Sequence, residues 1–458
     1  MKTVLFFLAL FLCLSLPVGA QDVGQPAGST RRLQGWAWDA KWSGAVCDNS
    51  TDDRSALNTA ATAAAVLGGR LVIPGKCVVG STLTIPANVS VIFENGGQLK
   101  PANGIVITFN GGIETGPVQI FGGAGTFTFT NNRKILNYYP EWWGADGSDT
   151  TDDSVSFQAA LTALPGNSTL RIPSGANRYY IGTGLVLNNK QGVTIQNPAY
   201  AINFGGFYWT GSYGTVLEMR DCISATIDGL NISLGTGAVA DNLILMTKVS
   251  GQSTANTIRN CYLNAGTTTH NNTNLRLISL NPAGATNGEN IVIEGNTMAC
   301  SDDYARYRSN AGAMTASGTT LTCADCAFVA GDVNKYVRVG LVGTGGATLL
   351  TTIASVPDST HAVLTNAASA TATGARVHIG RAIGTGVYNG PNANMKHQII
   401  RNNRISQCHI SVESEDGSVE IYNLGGGQAT YGVYIHEAVG EPVIIEQIVQ
   451  ESNLTEVY

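Results

Sequence analysis

Apolar residues fall at the spacing of one helix face in two places along the chain. The first set is Leu57, Ala60, Ala61 and Ala64, and the second is Phe157, Ala160, Leu161 and Leu164. Each set follows a Thr-Asp-Asp sequence, which suits a helix N-cap and places negative charge at the helix start. The pattern therefore predicts two short amphipathic helices, over 53–67 and 153–164, and helix capping accounts for the aspartates better than catalysis does.

Beyond the second helix the chain repeats a phrase of an apolar residue, a variable residue, isoleucine, a polar residue and a small or amide residue. Its central isoleucines are Ile195, Ile227, Ile258, Ile293, Ile400, Ile421 and Ile445. Most successive copies lie about 20 to 35 residues apart, which fits one turn of a solenoid. The repeat predicts a parallel β-solenoid in which inward Ile and Val side chains stack from coil to coil.

The gap between Ile293 and Ile400 is much longer than one coil. Subtracting an ordinary coil leaves about 70 residues, which we place at 313–380. Within this stretch, apolar and polar residues alternate around Gly-rich turns at 320–322, 336–339, 351–353 and 362–364. The pattern predicts a small β-rich domain inserted into one loop of the solenoid.

The composition narrows the possible functions. Charged residues make up 13% of the 458 residues, and 26 Lys and Arg against 32 Asp and Glu give a net charge of −6. This excludes a highly charged disordered chain and a nucleic-acid binder that relies on bulk positive charge. Residues 1–20 have the basic start, apolar run and small final residues of a signal peptide. No later stretch has the roughly 18 apolar residues of a membrane span, so we expect a secreted or periplasmic protein.

Eight cysteines follow the predicted cleavage site, and an even number in an oxidising compartment permits disulfides. Cys323 and Cys326 have the spacing of half a zinc site, but no second pair supports one. We therefore expect a local disulfide or two free thiols there, and no metal or other cofactor. Cys300 and Cys408 follow their isoleucines at similar offsets, so we expect a disulfide or a buried thiol ladder between adjacent coils.

One segment carries a family resemblance. The sequence Tyr-Pro-Glu-Trp-Trp-Gly-Ala-Asp-Gly over 139–147, followed by Thr-Thr-Asp-Asp over 150–153, resembles the opening of the rhamnogalacturonase/epimerase-like pectate lyase domain family. A weaker copy spans 42–61. The resemblance, within the pectin-lyase-like superfamily, implies an all-β, right-handed parallel β-helix with short N-terminal capping helices. The family includes hydrolases, lyases, tailspikes and inactive structural members, and polymeric carbohydrate is its shared ligand.

These observations divide the chain into five parts. They are a signal peptide (1–20), an N-terminal partial β-helix unit (21–135), the first part of the main β-helix (136–312), the inserted β-domain (313–380) and the last coils (381–458). We expect an exported polysaccharide-binding protein, with lyase or glycoside hydrolase activity on uronate-containing or other polymeric glycans as the enzymatic hypothesis. The alternative is a non-catalytic adhesin, matrix or tailspike-like protein on the same scaffold. The sequence is compatible with an oligomer as well as with a monomer.

Candidate catalytic residues are found near the end of the chain. Asp302 and His409 lie at the same offset from Ile293 and Ile400, so neighbouring coils about 4.8 Å apart would bring them together on one face. We predict a groove whose acid and base come from Asp302, Asp303, His409, Glu413 and Glu415. Arg306 or Arg308 is expected to bind a uronate carboxylate. The alternative is an ordinary acidic turn beside solvated strand residues.

Aromatic residues crowd one loop before the second coil of the main solenoid. They are Tyr200, Phe204, Phe207, Tyr208, Trp209 and Tyr213. Exposed flat rings stack well on sugar faces, so Tyr208 and Trp209 are candidate substrate-binding residues. Packing of this loop against the solenoid core is the alternative.

Overall fold

We analysed a computed structural model of the chain. The residues that it describes are 37–66, 69–130, 134–173, 178–198, 205–265, 275–280, 288–300, 307–379, 384–390, 395–408, 410–415, 419–427, 431–435, 443–451 and 455–457. The predicted signal peptide lies outside these ranges. Within them the fold is a right-handed parallel β-helix, as predicted.

Both predicted helices are present. Helix α1 spans Arg54–Val66 and helix α2 spans Ser154–Ala163. The residues predicted to form their apolar faces are all buried, at 0–1% exposure. Neither helix in the described part of the chain is long and apolar enough to cross a membrane.

The N-terminal unit stacks short parallel strands into three small sheets. The first contains Ala37–Asp39, Arg70–Ile73, Ser90–Phe93 and Ile113–Glu114; the second contains Asp48–Asp52, Lys76–Val79 and Gln98–Pro101; the third contains Leu83–Ile85, Val106–Phe109 and Thr126–Phe129. Leu71, Val91 and Ile113 pair with one another and are buried, which continues the stacked core of the unit.

The duplicated sequence is also a duplicated structure. Ala40–Ser43 and Pro140–Trp143 each form a single 3-10 turn, closed by a glycine with φ of 91° at Gly44 and 97° at Gly144. A left-handed residue at this position favours glycine, which has no Cβ. The amide of each glycine donates to two carbonyls of its own turn, so the two units begin with the same local geometry.

The paired aspartates fix loops as well as helices. In each pair the first aspartate, Asp52 or Asp152, accepts a hydrogen bond from the first helical amide, at 3.1 and 2.9 Å. The second aspartate was also predicted to cap, but Asp153 makes no side-chain capping bond. It accepts instead from the amide of Asp146, at 2.8 Å. These carboxylates are therefore structural.

Three faces of parallel strands form the main β-helix. Face 1 contains Thr169–Arg171, Thr194–Gln196, Thr226–Asp228, Thr257–Arg259, Gly288–Glu294, Met395–Arg401, Val419–Gly427 and Ile444–Glu451, with the short strand Ser253–Thr254 beside Gly288–Glu294. Face 2 contains Arg178–Ile181, Gly206–Trp209, Asn231–Leu234, Tyr262–Asn264, Thr297–Ala299 and Arg404–Ser406. Face 3 contains Leu185–Asn188, Thr215–Arg220, Asn242–Thr247, Arg276–Leu280, Thr385–Asn389, Ile410–Ser414, Tyr431–Ile435 and Thr455–Val457.

Face 1 explains the repeated phrase. Its central isoleucines pair one above the next through the whole face, from Ile195 to Ile445. The last residue of the phrase has positive φ in the six copies that end at Gly229, Asn260, Gly295, Asn402, Asn423 and Gln447. Glycine and asparagine tolerate that conformation best, which is why the phrase ends in a small or amide residue.

Asparagines then join neighbouring coils at the turn between face 1 and face 2. Asn296 accepts from the amide of Cys261 at 2.9 Å and donates to Asn403 Oδ1 at the same distance. Asn403 in turn donates to the carbonyl of Ile293 at 2.8 Å. Both side chains are almost fully buried, so these bonds satisfy polar groups that water does not reach.

A closed antiparallel barrel interrupts the solenoid. Its strands are Tyr307–Met314, Thr320–Cys323, Tyr336–Val339, Leu349–Asp358, His361–Leu364 and Ala372–Ile379, with 3-10 turns at Ala330–Asp332 and Thr344–Gly346. The barrel has its own buried core, separate from that of the solenoid. A disulfide between Cys300 and Cys408, with Cα atoms 4.9 Å apart, joins the coils on either side of it and confirms the predicted pairing. Further disulfides join Cys47 to Cys77 and Cys323 to Cys326.

Candidate functional site

Several sequence-predicted site residues fall outside the described part of the chain. These are Asp302, Asp303, Arg306 and His409, whose predicted roles stay predictions. The backbone of Arg308 lies in the first barrel strand, paired with His378. The remaining predicted residues, Glu413 and Glu415 on one side and Tyr208 and Trp209 on the other, lie on different faces.

A cluster of polar and aromatic side chains lies on face 3. The strand register places Tyr388 directly beside Glu413 of the next coil, and Glu413 beside Tyr434 of the coil after that. On the same strands the alternate residues Val387, Val412 and Val433 are buried in the solenoid core. Because strand side chains alternate between the two sides, the polar row lies on the outer side of face 3, away from the solenoid core.

Hydroxyl groups hold both carboxylates of this cluster. Thr385 donates from Oγ1 to Glu413 Oε2 at 3.0 Å. Tyr388 donates from its hydroxyl to Glu415 Oε1 at 2.9 Å. Each donor sits one coil before its carboxylate, so the contacts cross between coils and fix the direction of both glutamates.

Arg276 completes the cluster from the preceding coil. Its guanidinium carbon lies 3.3 Å from the centroid of the Tyr388 ring, a close cation–π contact. The Tyr388 side chain is only 4% exposed. Burial, followed by the hydrogen bond to Glu415, raises the pKa of Tyr388 to about 12. At neutral pH Tyr388 is therefore a protonated hydrogen-bond donor and not a general base.

Glu413 belongs to the strand Ile410–Ser414, and Glu415 follows that strand directly. Glycosidases of both stereochemical types use two carboxyl groups, one of them as the general acid. The described cluster carries two carboxylates and one guanidinium, so its charge disfavours an anionic sugar and favours a neutral one.

A second ionic group lies on the outer side of the same face, towards the start of the solenoid. Glu218 and Arg220 form a salt bridge at 2.7 Å, and the Thr247 hydroxyl also donates to Glu218. Burial opposes ionisation of Glu218, but these hydrogen bonds outweigh it and lower the pKa. Between Glu218 and Tyr388 the same row contains apolar Leu245 and fully buried Ser279, so the two polar groups are separate.

The two aromatic candidates have different surroundings. Trp209 is 2% exposed and donates from Nε1 to the carbonyl of Val239 at 2.8 Å, so its ring packs in the core. Its neighbour Tyr208 is half-buried on the outer side of face 2, where Arg178 lies over its ring at 5.3 Å. Of the pair, only Tyr208 has the exposure needed to contact a ligand.

Sequence reasoning missed Arg276, Thr385 and Tyr388. It aligned coils on the isoleucines of face 1, whereas the loops between face 1 and face 3 differ in length from coil to coil. Alignment on the buried face 3 residues, such as Val387 and Val412, gives the observed register. The alternation around each valine was the signal that could have placed Tyr388 beside Glu413.

Two described groups have the composition of metal ligands. They are Cys47, Asp53 and Cys77, and Cys323, Asp325 and Cys326. In both groups the two cysteines are joined as a disulfide, and the thiolate is the form of cysteine that binds metals. Asp53 is further occupied by the amides of Val46 and Cys47, at 2.6 and 3.0 Å. We therefore assign no metal to either group.

No protein-family model matches the chain, and no curated protein matches it in sequence. Solved structures do match. The Streptococcus pneumoniae surface adhesin PfbA is 14% identical, with 92% of this chain and 93% of that one covered and a TM-score of 0.29. An exopolygalacturonase from Thermotoga maritima is 9% identical, with 95% and 90% covered and a TM-score of 0.31. A mannuronan C-5 epimerase module from Azotobacter vinelandii is 12% identical, with 92% and 97% covered and a TM-score of 0.28. The paired strands of its three faces make this chain a right-handed parallel β-helix protein, the fold that the sequence resemblance implied.

Proposed function

We propose that this protein binds a polysaccharide along the outer surface of face 3 and hydrolyses it with Glu413 and Glu415. The observation that carries the proposal is the carboxylate pair, in which each glutamate is held by a hydroxyl from the preceding coil. Such fixed carboxylates are what general acid–base catalysis requires.

The shape of face 3 supports an extended ligand. Its strands repeat about every 4.8 Å along the solenoid axis, so equivalent side chains recur at a regular interval. Tyr388, Glu413 and Tyr434 occupy equivalent positions in three successive coils on the outer side. A linear glycan chain has a comparable repeat and presents hydroxyl groups that such a row can bind.

The charges favour hydrolysis over elimination. A polysaccharide lyase acts on uronates and needs a base together with groups that neutralise the sugar carboxylate. Here the negative charges of the two glutamates repel an anionic sugar. The raised pKa of Tyr388 keeps its hydroxyl protonated near neutral pH, so Tyr388 does not act as a base there. The cluster therefore favours cleavage of a neutral glycan, with one glutamate as general acid and the other as base or nucleophile.

A non-catalytic adhesin on the same face is the second candidate. It is favoured by the low exposure of Tyr388 and Thr385, at 4% and 7%, which leaves most of this cluster packed against itself. An adhesin would bind the same glycans without releasing reducing ends.

Assays of polysaccharide binding and of cleavage distinguish the hydrolase from the adhesin. The purified protein is tested on a panel of neutral and acidic polysaccharides for retention, new reducing ends and absorbance of unsaturated products. The hydrolase predicts reducing ends from a neutral polymer without that absorbance, and retention that weakens in Arg276→Ala. Retention without products would leave the adhesin, and an absence of retention on the whole panel would contradict both.

We also propose that the protein is exported and that residues 1–20 are removed. The three disulfides support an oxidising compartment, since cytosolic thiols are normally kept reduced. N-terminal sequencing of the protein from the culture medium or periplasm should begin at Gln21. Recovery of uncleaved protein from the cytosol would contradict export.

A further inference from the structure

A small groove opens on face 2, away from the glutamates of face 3. It has a volume of about 190 Å³. The residues that give it its chemistry are Arg178, Tyr208, Asn231, Ser233, Tyr262 and Asn264. They come from four successive coils, so the groove runs along the solenoid axis.

Glycine at 206 shapes the floor of this groove. Gly206 has φ of 132°, and a Cβ there would lie 2.2 Å from the carbonyl oxygen of Asn231 and 2.9 Å from its Cβ. Only glycine lets the two strands approach this closely. The preceding residue is also fixed, because buried Asn197 donates to the carbonyl of Gly205 at 3.2 Å.

Asn231 lines the groove and carries a buried side-chain oxygen. The residue is 9% exposed, and its Oδ1 has no hydrogen-bond partner within the described structure. A buried acceptor without a partner destabilises the fold. Because Oδ1 is closed to solvent, a ligand reaches it only when the Asn231 side chain turns towards the groove, and a hydroxyl or amide hydrogen donated there would offset that cost.

The charge of the groove is positive. Arg178 is exposed and lies over the Tyr208 ring, and none of the described residues that line the groove carries a carboxylate. This is opposite to the face 3 cluster, in which two glutamates accompany one arginine. Guanidinium groups bind carboxylate and sulfate strongly, and tyrosine rings present flat apolar surfaces to sugars.

We infer that the face 2 groove is a second glycan-binding site, which takes an acidic sugar residue, carboxylated or sulfated. Arg178 pairs with the acidic group, Asn231 accepts from a hydroxyl or amide of the sugar, and Tyr208 and Tyr262 line its apolar side. The inference does not depend on the activity proposed for face 3.

Binding of three trisaccharides to the full protein tests this site. The probes are trigalacturonate, its methyl ester, which has nearly the same shape without the charge, and a sulfated trisaccharide. Titration calorimetry is run on wild type, Arg178→Gln and Arg259→Gln. Arg259 is the matched control because it lies on face 1, in a salt bridge with Asp228 at 3.0 Å.

We expect trigalacturonate, the sulfated probe or both to bind, and the methyl ester to bind at least tenfold more weakly. Arg178→Gln should weaken binding about tenfold or more, since it removes a charge-assisted contact, whereas Arg259→Gln should not. Glu413→Gln should leave this binding unchanged, which separates the groove from the face 3 site. Equal binding of the methyl ester, equal effects of the two arginine variants, or no binding of any probe would overturn the inference.

Discussion

The hydroxyl of Tyr179 donates a hydrogen bond to Glu141 Oε1, which joins the second repeated turn to face 2. The other carboxylate oxygen of Glu141 is buried without a partner within the described residues. Burial raises the pKa of Glu141 to about 7, and the nearby charges of Asp153 and Asp146 add to the effect, although the bond from Tyr179 opposes it. Burial likewise raises the pKa of Asp153 to about 6.

This junction should make stability depend on pH. Because the folded pKa of Glu141 lies above its ordinary value of 4.5, its contribution is fully present below about pH 4.5 and is lost as the pH rises through about 7. We expect this pH-dependent contribution of Glu141 to the free energy of unfolding to be on the order of 2 kcal/mol. Denaturant midpoints across this range should fall with pH in wild type and fall less in Glu141→Gln. Exposed Glu114→Gln is the control, and an equal slope in Glu141→Gln would contradict the assignment.

Helix α2 offers a direct test of the packing at the start of the main solenoid. Leu161 is 1% exposed, whereas Val155 on the same helix is 81% exposed. Leu161→Asp buries a charge and should cost about 3 kcal/mol or more, whereas Val155→Asp should change stability by less than about 0.5 kcal/mol. Thermal melting measures both. Unchanged melting of Leu161→Asp would contradict the burial of this face.

The long disulfide should stabilise the fold more than the short one. The Cys300–Cys408 bond closes a loop with a sequence separation of 108, and the Cys323–Cys326 bond one of 3. In the chain-entropy account a loop of about 100 residues is worth on the order of 4 kcal/mol, and a very short loop far less. The urea midpoint of unfolding should therefore fall much further when Cys300 and Cys408 are both replaced by serine than when Cys323 and Cys326 are. Equal losses would contradict this account.

Much of the fold could be predicted from the sequence, because the same short-range residue patterns recur along the chain. The helix faces required only the spacing of Leu57 and Phe157 with their neighbours, and the face 1 stack required only the isoleucine of each phrase. Positive φ at the end of the phrase follows from its glycines and asparagines. Where the same residue pattern recurs in every coil, positions counted from that pattern are predicted correctly.

The candidate site did not follow in the same way. It depends on the register of face 3, which is separated from face 1 by loops of variable length, so Tyr388 and Arg276 were not aligned with Glu413. Trp209 and Tyr208 are neighbours on one strand, yet alternation buries the first and leaves the second accessible. Asp153 was predicted to cap helix α2, but its carboxylate accepts a hydrogen bond from the amide of Asp146 instead.

The most direct test of the proposed function compares three isosteric variants on a polysaccharide that the wild type cleaves. Glu413→Gln and Glu415→Gln each remove a carboxylate while nearly preserving shape. Glu420→Gln is the control, because Glu420 also accepts from a tyrosine hydroxyl, that of Tyr422 at 3.0 Å, but lies on face 1. We expect kcat to fall by about 100-fold or more in the first two variants, with polysaccharide binding retained and Glu420→Gln unchanged. Full activity in both Glu413→Gln and Glu415→Gln would contradict catalysis at face 3.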